Sequence, residues 1–384
     1  MKIMDEPGRE YVVGLQRCLA DLKDPRVEGR CDHPLLDVVA VALLAVMCGA
    51  EDWPDVEEFG ESRRDWLKTF LELPGGIPSH DTFRRVFGRL DRGQFAAGLF
   101  LWTQALHEAT GGKVIAVDGK ALRRSFAKKS GRSMLHLVTA WATETHLTLG
   151  QVACAEKSNE ITAIPELLKL LSLKGSTVTI DAMGCQKEIA SQIREQKGHY
   201  VLGLKGNQPA LEAAAAAYFE TCLETDFDGI THDLHETTET GHGRIETRIV
   251  HAVELPADFP GRADWRDLRT LVVVASRRVM HDEESWESRH YITDHRPQAK
   301  FLGDAIRKHW GIENAQHWVL DVTFGEDTRR QQDRNGAANL AAVRRMALSL
   351  LRQEKTNKRG VKNKRLKCAL DPAYLLKVLA TAKF

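Results

Sequence analysis

The sequence is poor in the features that mark several large protein classes. It holds 7 cysteines, at positions 18, 31, 48, 154, 185, 222 and 368, scattered and odd in number, with no C-x-x-C pair. Nothing here resembles a secreted disulfide framework, and reduced thiols in a cytoplasm are expected. Long apolar runs are also missing. The longest, "VVAVALLAVMC" at Val38–Cys48, has about half the length a bilayer span needs. His33-Pro34 before it and Gly49 after it read as helix start and stop, so a buried helix is expected. The opening "MKIMDEPGRE" is charged and polar, without a signal-peptide pattern. Nor does either sign of charge dominate: 54 Lys and Arg stand against 53 Asp and Glu, a net charge of +1. Any polyanionic partner must therefore be met by local basic patches. What remains is an ordinary globular composition, 43% hydrophobic and 28% charged, over 384 residues, long enough for two or three domains. No internal repeat or long low-complexity tract interrupts it.

Residues 1–110 read as helical, with helices near 8–22, 34–48, 54–73, 80–90 and 93–110. The tight connection "LPGGIPS" (73–79) ends in Ser79, an N-cap for "HDTFRRVFGRL". A helix, a Gly-containing turn and a second helix carrying Arg84 and Arg85 fit either a DNA-reading helix-turn-helix or a helical bundle with a solvated basic face. At Lys113 the pattern changes. "KVIAVDG", "LHLVTAWA", "LTLGQVACA", "STVTIDAMG" and "HYVLGLKGN" read as strands, and "NEITAIPELLKLLSL", residues 186–196 and "QPALEAAAAAYFE" as helices. Such alternation predicts an α/β sheet with helices on its faces. From 228 to 295 the texture is β again, followed by a helix around 309–324, another near 336–352 and a short one near 371–382. The strongly basic "EKTNKRGVKNKRLK" (354–367) is either a solvated linker or a phosphate-contacting tail.

The stretch "HWGIENAQHWVLDVTFGED" (309–327) spaces His309, Glu313 and His317 four apart, on one stripe of a helix. Ile312, Ala315, Val319 and Val322 form an apolar stripe roughly opposite, expected to dock on the core. Trp310 and Trp318 are expected to pack. Two acids elsewhere sit at matching places. Asp118 ends an apolar strand before Gly119, and Asp181 ends another shortly before Gly184. Functional groups of α/β sheets gather at strand carboxyl ends. If the two strands are neighbours, the carboxylates repel unless a divalent cation relieves them, and hard oxygen ligands suit Mg²⁺ or Mn²⁺. With Glu313 as third ligand, three carboxylates can hold two metals for in-line phosphoryl displacement. A basic run follows Asp118: Arg123, Arg124, Lys128, Lys129 and Arg132, with Lys120 closer still. It suits a nucleic acid, or is a solvated surface loop.

The segments "AVDGKALRRS", "TIDAMGCQKEIA", "YVLGLKGNQP", "HGRIETR" and "HWGIENAQHWVLDVTFGEDTRR" resemble, in this order, the motif series of DDE transposases of insertion sequences. The ISAs-type subgroup, with the H-repeat-associated proteins of Rhs elements, is the most similar. "DHPLLDVVAVALLAVMCGAEDW" and "GIPSHDTFRRVF" are similar to that subgroup's N-terminal region, and the resemblance covers about residues 15 to 352. It implies an α/β fold: a ribonuclease-H-like catalytic domain (111–227 and 297–352) with a β-rich insertion (228–296). An all-helical, DNA-binding N-terminal domain (1–110) precedes it, and a basic tail with a short helix (353–384) follows. It implies Asp118, Asp181 and Glu313 as catalytic and metal residues with Mg²⁺, or Mn²⁺, as cofactor. It further implies cleavage and strand transfer of double-stranded DNA at terminal inverted repeats, by a homodimer on paired ends in a bacterial, nucleoid-associated cytoplasm. Lys205 and Asn207 match "LKGNQ" and suggest DNA contact or site support. Broader relatives carry Tyr, Arg, Glu and Lys along the last catalytic helix, where this chain has Ile306, His309, Glu313 and Leu320. A hairpin route is thus not implied, and His309 stands in for the Arg as a phosphate contact. His317, like His309, is expected to flank the metal site and face phosphates.

Three other readings compete. A zinc hydrolase would use His309, Glu313 and His317, though H-E-x-x-H is absent. A transposase-derived DNA-binding protein would lack activity. In a purely structural reading the three acids are ordinary surface groups.

Overall fold

The computed structural model describes residues 6–27, 29, 31–110, 113–125, 133–155, 160–241, 243–280, 283–328 and 333–381. Its first part is helical: α1 (Glu6–Cys18), α2 (Leu35–Cys48), α3 (Trp53–Ser62), α4 (Arg64–Leu67), α5 (His80–Arg89) and α6 (Arg92–Thr110). The apolar run forms α2, buried from Asp37 to Met47. Ser79 caps α5, its hydroxyl accepting from the Thr82 amide at 3.3 Å, and Arg84 and Arg85 point to solvent. The long helix expected over 54–73 breaks after Ser62 and again after Leu67. The chain leaves helical geometry to bring the Leu73 amide onto the buried carboxylate of Asp37, at 2.8 Å.

The sheet begins with β1 (Val114–Leu122), β2 (Leu135–Ala142) and β3 (Leu147–Ala153). Then follow α7 (Glu160–Lys169), β4 (Thr177–Ile180), α8 (Lys187–Glu195), β5 (His199–Leu204) and α9 (Pro209–Glu224). Two long hairpins come next: β6 (His232–Gly241) with β7 (Arg244–Glu254), and β8 (Thr270–Met280) with β9 (Glu283–Thr293). All nine strands form one sheet in the order β3-β2-β1-β4-β5-β9-β8-β7-β6. β1, β4 and β5 are mutually parallel, and every other pairing is antiparallel. The β-rich segment thus extends the same sheet through the β5–β9 pairing.

The chain closes with α10 (Ala299–Ile312), a π-helical turn (Glu313–His317) and α11 (Trp318–Phe324). Three more helices follow: α12 (Arg334–Gln353), α13 (Val361–Leu370) and α14 (Pro372–Leu379). α12 is buried from Gly336 to Leu351 and packs against α2, α5, α6 and β3. One hydrophobic core therefore joins the N-terminal helices to the sheet, from Leu43 and Phe87 through Val117 and Val178 to Met346. No helix among the described residues is long and apolar enough to cross a membrane.

The second half of the basic segment at 354–367 belongs to α13 rather than to an open linker. Lys364 donates to the Leu351 and Glu354 carbonyls. Arg365 donates to Val46 and Ala50 carbonyls at 2.9–3.3 Å, neutralising the C-terminal end of α2 where a cation is favoured. These two are buried, whereas Lys355, Lys358, Arg359, Lys362 and Lys367 stay exposed.

Under the end of α11, Arg345 meets Glu326 at 2.7 Å with both side chains 0% exposed. Burial alone would raise the Glu326 carboxyl, but Arg345, Lys120 and Arg344 outweigh it and hold it at about 2. Removing one partner of such a pair strands a buried charge. Arg345→Met should lower unfolding stability by about 3–5 kcal/mol in urea titrations. A loss below about 1 kcal/mol would show that the pair does not hold α11 and α12 together.

Candidate active site

Register sets the two aspartates at one level of neighbouring strands, although Asp181 is not among the ligand atoms that cluster around His317. β1 and β4 pair in parallel from Val114↔Thr177 to Val117↔Ile180, and the next residue of each chain is Asp118 and Asp181. The strands end differently. β4 stops at Ile180, and Asp181 caps the following 3₁₀ turn (Ala182–Gly184), accepting from the Met183 and Gly184 amides at 3.1 and 3.4 Å. β1 instead continues to Leu122 along β2, with Asp118 opposite Thr139. Asp118 is therefore a mid-strand residue and not the strand end expected. It marks the level at which β4 leaves the sheet, and the gap so opened is where its side chain emerges.

Glu313 arrives from the opposite direction, at the start of the π turn between α10 and α11. Single π turns insert an extra residue and often mark functional positions. Of the expected apolar stripe, Ile312 is buried and Ala315 and Val319 are half-buried against the core, so the stripe fails only at its last member, Val322. Leu320 and Phe324 are fully buried, whereas Val322 is 61% exposed. Trp310 and Trp318 are likewise exposed, at 45% and 57%, and do not pack in the core as expected. The Arg289 guanidinium lies 4.6 Å from the Trp310 ring centre.

His317 joins the two ends of the site. Its Nδ1 lies 3.5 Å from Asp118 Oδ2 and 3.5 Å from Glu313 Oε2. Ligand atoms of Asp118, Glu313 and His317 all fall within 4.8 Å of one another. His317 is 4% exposed, and its Nε2 has no hydrogen-bond partner among the described residues. Burial is the main force pushing the Asp118 carboxyl up to about 6; Glu313 and Asp181 add to it, and His317 opposes. The hydrogen bond from His317 holds Glu313 below the usual carboxylate range. A largely buried carboxylate and an open one, meeting on a buried imidazole, are a donor set that fits a divalent cation.

The other expected site residues divide. Lys120 is 9% exposed and binds Asp321 at 2.5 Å, with Glu326 and Asp327 at 3.4 and 3.7 Å. Its charge is used inside the protein and does not reach a phosphate. His309 is buried on the Thr179 hydroxyl at 3.1 Å, and burial pushes it down to about 4, leaving a neutral ring with no cation to offer. It stands apart from the His317 cluster, so the zinc triad His309–Glu313–His317 does not assemble. Asn207 donates to the Ala182 carbonyl and so braces the turn behind Asp181. Exposed Lys205 lines a cavity of about 340 Å³ shared with Asp181, His309 and Trp310. Arg123 and Arg124 are exposed, while Lys128, Lys129 and Arg132 lie outside the described residues. Glu160, at the start of α7, was not singled out by the sequence. Its carboxyl lies against Gly119 and is raised by burial, then by Asp181, with His136 and His317 opposing.

The sequence profile described as "Transposase DDE domain" matches residues 109–350, and one described as "DDE_Tnp_1-associated" matches 16–103. The chain is 42% identical over 364 residues to "Putative transposase YncI" of Escherichia coli O157:H7, covering 94% of this chain and 93% of that one. This chain belongs to the DDE transposases, of the H-repeat type. A second relative of that type, "H repeat-associated putative transposase YhhI" of Escherichia coli strain K12, is 37% identical over 371 residues, covering 95% of this chain and 97% of its own. An uncharacterized protein in the dhlA 3′ region of Xanthobacter autotrophicus is 46% identical over 266 residues, covering 68% of this chain and 88% of its own. In this DDE transposase the profile spans Asp118, Asp181 and Glu313, and the associated profile spans the helices that share its core.

The charge balance gives a pH test on metal-free protein. The folded Asp118 carboxyl titrates near 6 against an ordinary 3.8, so the folded state keeps its proton to higher pH and loses stability as pH rises between these values. In EDTA at pH 7.5, Asp118→Asn should therefore unfold at higher urea than the parent, by roughly 2–3 kcal/mol at most. The gain should shrink as pH is lowered to 4. Equal or lower stability of the variant at pH 7.5 would contradict the crowded-carboxylate account.

Proposed function

We propose that this protein cleaves DNA strands at the terminal inverted repeats of its element and joins them to target DNA, using Mg²⁺ or Mn²⁺ held by Asp118, Asp181 and Glu313. The observation that carries this reading is the meeting of Asp118 and Glu313, far apart in the chain, on one buried imidazole. The β1–β4 register, which puts Asp181 at the level of Asp118, supports including it as the third carboxylate. The strand order β3-β2-β1-β4-β5, with β1, β4 and β5 parallel, supports a ribonuclease-H-like core, with β6–β9 as the insertion that widens it. The N-terminal helices, with Arg84 and Arg85 exposed on α5, are the proposed DNA-binding domain.

Held by these carboxylates, a divalent cation would supply activation of the attacking water or 3′-hydroxyl and charge relief at the departing oxygen. The chain's own contribution is preorganisation. Backbone amides of Met183 and Gly184 fix the Asp181 carboxylate. His317 holds Asp118 and Glu313 at one level and limits their repulsion. Glu313 is the most open of the three, its side chain 58% exposed, and faces the approaching strand. Lys205 on the pocket and the exposed Arg123 and Arg124 just past Asp118 provide cations for phosphates, and Lys128 and Lys129 continue that basic run. No covalent enzyme intermediate is needed, and a homodimer on paired ends would present two such centres.

Asp118→Ala, Asp181→Ala and Glu313→Ala should each abolish nicking of labelled terminal repeats in Mg²⁺. Binding of those ends in gel-shift assays should change by no more than about threefold, because phosphate contacts supply most of the affinity. Near-normal nicking by any variant would remove that residue from the centre. Binding without nicking by the parent protein would favour a transposase-derived DNA-binding protein.

A further inference from the structure

Gly119 lies between Asp118 and the buried Lys120 in β1. Successive side chains of a strand point to opposite faces. Asp118 and Lys120 therefore face α10 and α11, while position 119 faces the other side of the sheet. There the carboxylate of Glu160 occupies the space a side chain would take. A Cβ added to Gly119 would fall 2.1 Å from both Cδ and Oε1 of Glu160. Glu160 is thus held against bare backbone, one residue from Asp118, because residue 119 has no side chain. From that seat its carboxyl is raised by burial and then by Asp181, with His136 and His317 opposing. Its one ion-pair partner among the described residues is His136, whose Nδ1 is 3.7 Å away. His136 also has an open side to solvent, its side chain 46% exposed.

An acid pressed onto a glycine beside other half-buried acids raises their mutual repulsion. Moving it a few ångströms toward solvent would relieve that cost, and the flexible glutamate stem permits the move. The packing nevertheless keeps it in the field of Asp181. A shared cation is the arrangement that turns this repulsion into attraction. The buried His317 Nε2 beside Asp118 is unpartnered among the described residues, a polar group of the same centre left without a neighbour.

We propose that Glu160 is a fourth carboxylate of the divalent-cation centre, acting from the α7 face of the sheet together with Asp181, and that Gly119 is the opening that admits it. This rests on the reading of Asp118, Asp181 and Glu313 as the cation-binding trio. It makes the centre four-sided: Asp118 from mid-strand, Asp181 from a strand end, Glu313 from the π turn and Glu160 from a helix start.

The test is titration of Mn²⁺ alone into the full-length protein, followed by the electron paramagnetic resonance signal of free Mn²⁺, with thermal unfolding run in parallel. Glu160→Gln and Gly119→Ala should each weaken Mn²⁺ binding by about tenfold or more while both proteins stay folded. Combining them should weaken it no further than Glu160→Gln alone, since both act through one carboxylate. Asp118→Asn serves as the reference for loss of the centre. Wild-type Mn²⁺ affinity in Glu160→Gln, with or without a lower melting temperature, would assign Glu160 to His136 and overturn the proposal while the trio stands. Wild-type affinity in Asp118→Asn as well would overturn the trio with it.

Discussion

The ammonium group of Lys120 fixes the distance on which the site depends. It lies two residues beyond Asp118 in β1 and reaches three acids at the far end of the helix that carries Glu313: Asp321, Glu326 and Asp327. Glu326 is in turn locked to Arg345 on α12. A buried cation cannot drift from its partners without leaving several charges unsolvated. The strand bearing one ligand and the helix bearing another are therefore tied together independently of any metal. Because α12 also packs on α2, α5 and α6, the tie extends to the N-terminal helices, and one continuous core joins the helical region to the sheet.

Within that frame the pocket is electrostatically unbalanced. Acids gather at the β1–β4 rim, where burial and mutual repulsion push Asp118 upward, while the net charge of the chain is only +1. The balancing cations are placed apart from the acids. Some are internal, as with Lys120, Lys364 and Arg365, and others are exposed, Lys205 on the pocket and Arg123, Arg124 and Lys358 elsewhere on the surface. His317 is the sole described bridge between Asp118 and Glu313. The separation suits a polyanionic strand, which meets cations on its way in and a concentrated negative site at the point of chemistry.

Much of this was legible in the sequence, for identifiable reasons. Apolar runs ending in Asp118 and Asp181 set the two strands, and a parallel register of such runs places their ends side by side. The burial of α2 follows from its composition, and the Ser79 cap from its position. One failure has a local cause: 3.6-residue periodicity is blind to a π turn. Within and past that turn His317 faces inward while Trp318 and Val322 lie in solvent. Counting basic residues likewise does not reveal which of them find a carbonyl cluster or acid pocket, so Lys120, Lys364 and Arg365 read as surface groups until the fold supplied their partners. Glu160 carried no local signal. Its role depends on a glycine in another strand lacking a side chain, a tertiary fact with no sequence period.

The central claim is that Asp118, Asp181 and Glu313 enclose divalent cations. Anomalous diffraction from crystals of the protein bound to terminal-repeat DNA in Mn²⁺ tests it most directly. The account predicts a manganese peak in direct contact with carboxylate oxygens of all three residues. Manganese peaks confined to other acids, with these three side chains left uncoordinated, would contradict it.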